Sequence, residues 1–227
     1  QNELTVYADN SPNEMVYPQT ADFTFYGGIY RDVNLIFTEK EHFDLGFYGS
    51  CGVMVTPLLS DGKWSVRADA RICGGGDVVV NIYDGQGNKV VCGEGGQPLP
   101  IPSPHLWNGV ADPYLYTAEV LLICGGEERD RAEIKFGLRT FKTDEKNGFM
   151  LNGRPYPLRG VSRHQDRPHI GNALTRGMHS EDIELITEMG ANAVRLAHYQ
   201  QDDCIYDMCD EAGLIVWTEI PYISRHM

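Results

Sequence analysis

Three things are missing from this 227-residue sequence, and each removes a class of function. No apolar run approaches the ~20 residues that a membrane-crossing helix needs. Positive charge is in deficit: 19 Lys and Arg stand against 32 Asp and Glu, a formal net charge of −13. Nucleic acids and anionic membranes need clustered cations to neutralise phosphates, so neither is an expected partner. A neutral substrate such as a sugar is compatible with that charge. Metal-binding cysteine patterns are the third absence. The cysteines at 51, 73, 92, 124, 204 and 209 form no CxxC pair, and none stands beside a His at ligand spacing. Cys51, Trp64 and Cys124 imitate the Cys…Trp…Cys order of immunoglobulin domains. Unpaired buried cysteines are nevertheless common in reduced cytosolic proteins, so six free thiols and a cytoplasmic location are expected. The opening Gln1-Asn2-Glu3-Leu4 has neither a Met nor a secretory apolar segment and reads as mid-protein sequence.

What is present is the composition of a globular protein, with 42% hydrophobic and 22% charged residues. Residues 1–41 read as β-structure. Leu4–Ala8 and Arg31–Phe37 are expected strands, with turn chemistry at Asp9-Asn10-Ser11-Pro12 between them. Two or three strands do not make a stable sheet alone, so this segment is expected to be the tail of a larger sandwich. Residues 42–143 carry short alternating strands at Trp64–Ala68, Val78–Tyr83 and Thr117–Ile123. They are punctuated by Asp61-Gly62, Gly74-Gly75-Gly76, Asp84-Gly85 and Gly125-Gly126. A stretch of about 100 such residues is the size of an immunoglobulin-like sandwich.

From 144 to 227 the periodicity alternates between strand and helix. Tyr156–Val161 reads as a buried strand. A helix follows over Ser180–Met189, with Ser180 as N-cap, acids in its first turn and Gly190 as its stop. Ala193–Ala197 is a second strand. A second helix spans about 203–212, burying Ile205, Met208, Cys209 and Ala212, with Gly213 just past its end. Leu214–Thr218 is a third strand. Strands joined by short helical links must pair in parallel through right-handed crossovers. No Gly-rich phosphate loop follows the first strand, which favours a (β/α)8 barrel over a nucleotide-binding sheet. A whole barrel needs about 250 residues, and this stretch supplies three strands of eight.

Barrel active sites sit at the C-terminal ends of the strands. Those positions hold Arg163, His164, Gln165 and Asp166 after strand one, Arg195, His198 and Tyr199 at strand two, and Glu219 after strand three. Any one of them could be a structural hydrogen-bonding residue. Three consecutive strand ends of this kind point to a site.

Longer motifs carry a resemblance. Phe149–Pro155, Leu158–Asp166, Asn192–Tyr199 and Cys209–Leu214 follow the barrel entrance of glycoside hydrolase family 2, in order. Tyr17–Phe23 and Gly27–Val33 resemble the sugar-binding domain of its bacterial β-galactosidase branch. The resemblance implies a multidomain β plus α/β chain. Residues 1–41 would be the end of a jelly-roll sugar-binding β-sandwich, 42–143 an immunoglobulin-like β-sandwich, and 144–227 the first three strands of a TIM barrel. It also implies a retaining enzyme that releases terminal β-D-galactose from β-galactosides, oligomeric when intact, with Mg2+ and Na+ as ions of the whole enzyme. By position, Asp22 matches an aspartate that binds the galactose 6-hydroxyl, directly and through sodium. His164 and His198 match histidines on galactose hydroxyls, and Arg195 an arginine that pairs with the nucleophile carboxylate. Ser162 and Gln165 depart from the usual Asn and Glu. Such enzymes need two carboxylates about 5 Å apart. The family places them on strands four and seven, so no catalytic residue is expected within the 227 residues, and Glu219 is expected to be structural. If Asp22 serves the same sugar as the histidines, the 17–28 loop must lean on the barrel mouth through Phe23, Phe25 and Tyr26. Asp22 then lies within about 10–12 Å of His164 and Arg195. Other family 2 activities, on glucuronides or mannosides, and a non-catalytic sugar-binding module are the competing readings.

Overall fold

A computed structural model describes residues 3–13, 15 and 21–221. The Tyr17–Thr20 part of the upstream motif lies outside them. By its contacts the chain divides into two units, Leu35–Pro157 and the pair of segments Gln1–Asn34 with Leu158–Met227.

The first unit is built from antiparallel strands: β1 (His42–Phe43), β2 (Val53–Ser60), β3 (Lys63–Ala70), β4 (Ile72–Cys73), β5 (Asp77–Tyr83), β6 (Lys89–Glu94), β7 (Leu99–Pro100), β8 (Tyr116–Cys124), β9 (Glu127–Phe136), β10 (Phe141–Asp144), β11 (Gly148–Leu151) and β12 (Arg154–Pro155). Sheets β2-β3-β7 and β6-β5-β8-β9 are its two layers, while β1-β4 and β10-β11-β12 form smaller sheets. Alternation sets the layering. In β8 every second residue, Tyr116, Ala118, Val120 and Leu122, is buried, and in β3 Trp64, Val66 and Ala68 are. These meet Val80, Ile82 and Phe136 from the four-stranded sheet in one apolar core. Each large side chain so buried contributes about 1.5–3 kcal/mol. The expected sandwich strands are all present.

The second unit holds β13 (Gly160–Arg163), α1 (Arg176–Glu188), β14 (Ala193–Leu196), α2 (Asp203–Ala212) and β15 (Ile215–Thr218). The three strands are parallel in the order β13-β14-β15, with Val161, Val194 and Val216 in register. Ile183 and Ile186 of α1 join Ile205, Met208 and Cys209 of α2 in one cluster with Val194, Leu196 and Leu214. Both helices therefore cover the same face of a sheet whose strand order never reverses. That is the winding of a barrel, not of a doubly wound sheet.

Four expectations need correction. Leu4–Ala8 and Arg31–Phe37 are not strands, and Val33, Leu35 and Phe37 are 73–87% exposed. An alternating pattern becomes a strand only where a neighbour completes its hydrogen-bond ladder, and no jelly-roll sheet is present among the described residues. The first barrel strand is Gly160–Arg163, later than expected, because Arg154 and Pro155 pair back onto β11. The first helix starts at Arg176 after Thr175, not at Ser180, whose hydroxyl bonds Glu184 inside the helix. The second helix is as expected: the Asp202 carboxylate caps it by accepting from the Cys204 amide, and Gly213 ends it at φ 75°. All six cysteines are free.

Candidate functional site

Side chains alternate along β14, so Val194 and Leu196 enter the helix-covered core while Arg195 faces the opposite side of the sheet. There Arg195 meets Glu219, which follows β15. Nε donates to Oε1 at 2.6 Å and Nη2 to Oε2 at 3.1 Å, a two-pronged pair, while Nη1 donates to Ser162 Oγ at 3.3 Å. Beyond β14 the chain turns at His198 with φ 67°, a left-handed conformation rare for a residue with a side chain. That turn aims the His198 amide at Glu219 Oε2 (2.7 Å) and leaves its Nδ1 3.2 Å from the same oxygen. Trp217 Nε1 donates to Oε1 at 3.2 Å. Burial pushes the Glu219 carboxyl up, but the His198 amide and the Arg195 guanidinium outweigh it and hold the group below the usual 4.5.

His164 lies across from His198, with ring centroids 5.5 Å apart, and its Nδ1 is 3.3 Å from Tyr199 Oη. That hydroxyl accepts from the Gln165 amide at 2.9 Å, and burial raises its pKa, so it stays protonated. Phe23 completes the group. Its ring stacks on His198 at 5.2 Å and 12°, and tilts on His164 at 5.2 Å and on Tyr199 at 5.6 Å. Phe25 stacks behind it at 4.8 Å, and Tyr26 Oη donates to Asp166 Oδ2 at 3.2 Å. The aromatic run thus leans on the strand ends. Asp22, its chain neighbour, is exposed.

Two residues of the strand-end cluster turn away from this site. Arg163 is buried and points toward α1: it donates to Asp182 Oδ2 at 2.6–2.9 Å, to Gln201 Oε1 and to His179 Nδ1 at 2.8 Å. Gln165 is also buried, and its Oε1 receives the Asp202 amide at 2.6 Å. The Gln at 165 therefore acts as a brace for α2. Sequence reasoning missed Gln201 and Asp182, whose polarity marks them as surface residues until their buried guanidinium partner is known. It also missed Ser162 as a partner of Arg195.

His179, Asp202 and Cys204 bring three ligand-type atoms within 4.8 Å of one another. They do not fit a metal. A guanidinium only donates, so the His179 Nδ1 facing Arg163 is the bare nitrogen and the ring proton sits on Nε2. Burial, and then Asp202, push the Cys204 thiol up to about 12, far from the thiolate a metal requires. Among the described residues no helix is long and apolar enough to cross a membrane.

Comparison with known proteins agrees with this geometry. Residues 52–139 match the model described as glycosyl hydrolases family 2, and residues 143–227 match the TIM barrel domain of the same family. A β-glucuronidase from Bacteroides fragilis is 38% identical over 99% of this chain and 35% of its own length. A β-galactosidase from Thermoanaerobacter pseudethanolicus is 30% identical over 97% of the chain and 31% of its own. Among solved structures, an FMN-binding β-glucuronidase from Facaelibacterium prausnitzii L2-6 superposes with a TM-score of 0.89 at 41% identity, covering 93% of this chain and 34% of that one. A putative β-galactosidase from Bacteroides fragilis gives 0.85 at 35% identity, covering 94% and 35%. The chain spans about a third of the length of these relatives. Two consecutive domains, each matched over its own strands by a model of one family, establish that the chain belongs to the family 2 glycoside hydrolases.

Proposed function

We propose that this chain is the sugar-holding portion of a retaining β-glycosidase that removes a terminal glycosyl residue. The observation that carries the reading is the paired His164 and His198 beside Arg195 and Glu219 at adjacent parallel strand ends. Each imidazole keeps its Nε2 for a sugar hydroxyl, because Tyr199 engages the Nδ1 of His164 and Glu219 that of His198, and Phe23 packs on both rings. Arg195 keeps a guanidinium at the mouth, where it can hold a reacting carboxylate ionised. Asp22, next to Phe23, would add a hard oxygen donor for a sugar hydroxyl or a sodium ion. Glu219 is occupied by Arg195 and His198, which leaves it free neither as acid nor as nucleophile.

For the sugar, a β-D-glucuronide is favoured by the β-glucuronidases that resemble the chain at 38% and 41% identity. A β-D-galactoside is the second reading, favoured by the β-galactosidase-like stretch around Asp22 and by the putative β-galactosidase at 35% identity. The test is kcat/KM of the intact enzyme on nitrophenyl β-D-glucuronide and β-D-galactoside. Preference for the glucuronide is expected, and preference for the galactoside would install the second reading. Loss of neither activity in H164A and H198A variants would refute the site itself.

A further inference from the structure

Beside the histidine pair lies a second concavity with no role in the preceding reading. It is an open cleft of about 680 Å3 lined by Tyr26 and the turn Asp166–Gly171. The turn closes through a bridge between Arg167 and Gly171 and carries His169 at φ 73°. A residue with a side chain in that conformation is strained, and such strain gathers at ligand sites.

The floor of the cleft is a fixed aromatic plate. Tyr26 is anchored by its hydroxyl to Asp166, and its ring packs against Gly171, where an added Cβ would lie 2.8 Å from Cδ1 and Cε1. Glycine is thus required at 171 for the ring to approach, and the ring is held before any ligand arrives. The guanidinium nearby is already committed. Arg167 donates to Glu181 at 2.6 Å, Asp182 at 2.7 Å and the Met178 carbonyl at 2.9 Å. The cleft therefore offers an aromatic side chain beside the Asp166 carboxylate, a pairing that disfavours an anion and suits an uncharged ring. It is also close to the sugar. Tyr26 is three residues from Phe23, a chain reach of at most about 11 Å, and Phe23 touches both histidines.

We propose that this cleft receives the leaving-group ring of the substrate, a neutral phenyl or pyranose ring stacked on Tyr26. The proposal rests on the glycosidase reading and extends it to the other side of the scissile bond.

The test uses the 227-residue chain, with methyl and phenyl β-D-glucuronide titrated against its amide NMR signals. Methyl glycoside is expected to shift residues around His164 and His198 alone. Phenyl glycoside is expected to shift Tyr26 and 169–171 as well, and to bind up to about tenfold tighter, the scale of one aromatic stack. Y26A should abolish that increment, while Y26F, which keeps the ring, should retain it. Phenyl-induced shifts that spare 169–171, or an increment that survives Y26A, would overturn the cleft assignment alone. Absence of any shift at His164 and His198 with either ligand would overturn the glycosidase reading instead, and the cleft assignment with it.

Discussion

Glu219 receives four donors from three residues, and none of those residues is adjacent to it in sequence. Its folded carboxyl titrates below the unfolded value of 4.5, so its stabilising contribution is complete above 4.5 and disappears as pH falls through the folded value. Urea midpoints measured between pH 3 and 6 should therefore fall with acid in the native chain, and fall less in E219Q. Equal slopes would show that the carboxylate is not what holds Arg195. Arg163 answers to a different rule, because it is buried with His179 and Gln201 and its carboxylate partner Asp182 is half-buried. Replacing Arg163 by Met strands His179 and Gln201 and leaves Asp182 with Arg167 alone, and should cost about 3–5 kcal/mol. Chemical denaturation would read this directly. R163K should recover little, since an ammonium cannot reach three partners in a fork.

At the scale of elements, α2 depends on one side chain at its start. D202A removes the acceptor for the Cys204 amide, at a cost of about 0.5–2 kcal/mol. It also removes the carboxylate that helps to hold the Cys204 thiol at about 12. Thiol alkylation at mildly alkaline pH should accelerate at Cys204 in D202A and stay unchanged at buried Cys209. This helix could be read from sequence because its signals are local: an apolar stripe and a closing Gly. The α1 boundary could not. Ser180, Glu181 and Asp182 imitate a helix start, yet the two acids sit in mid-helix as partners of Arg167 and Arg163. The same limit explains the expected strands at 4–8 and 31–37, since alternation is local and a ladder partner is not. For the site, strand-end position picked out His164, His198, Arg195 and Glu219 correctly as neighbours. It could not tell that Arg163 and Gln165 face α1, because a strand end allows either direction.

Taken whole, the molecule exposes apolar surface at both chain segments of the barrel unit, including Val33, Trp217 and Ile220. Exposed apolar side chains of this kind are expected to bind a solvatochromic dye. The purified 227-residue chain should brighten such a dye while leaving nitrophenyl glycosides uncleaved. Measurable turnover would require a catalytic carboxylate pair within the 227 residues.

The barrel unit is assembled from the two ends of the chain, with about 120 residues of sandwich between them. This has a consequence for the order of events during folding. Bringing Phe23 to His198 in an unstructured chain means closing a very long loop, at an entropic cost that grows with its length. An unfolded segment of that size has a radius of gyration of about 36 Å, and a folded one about 14 Å. Prior folding of the sandwich therefore shortens the search, and the aromatic contact is expected to form after it. In pulsed hydrogen exchange, amides of β5 and β8 should gain protection first and those of residues 198 and 199 last. Simultaneous protection would indicate that both ends find each other while the middle is still a coil.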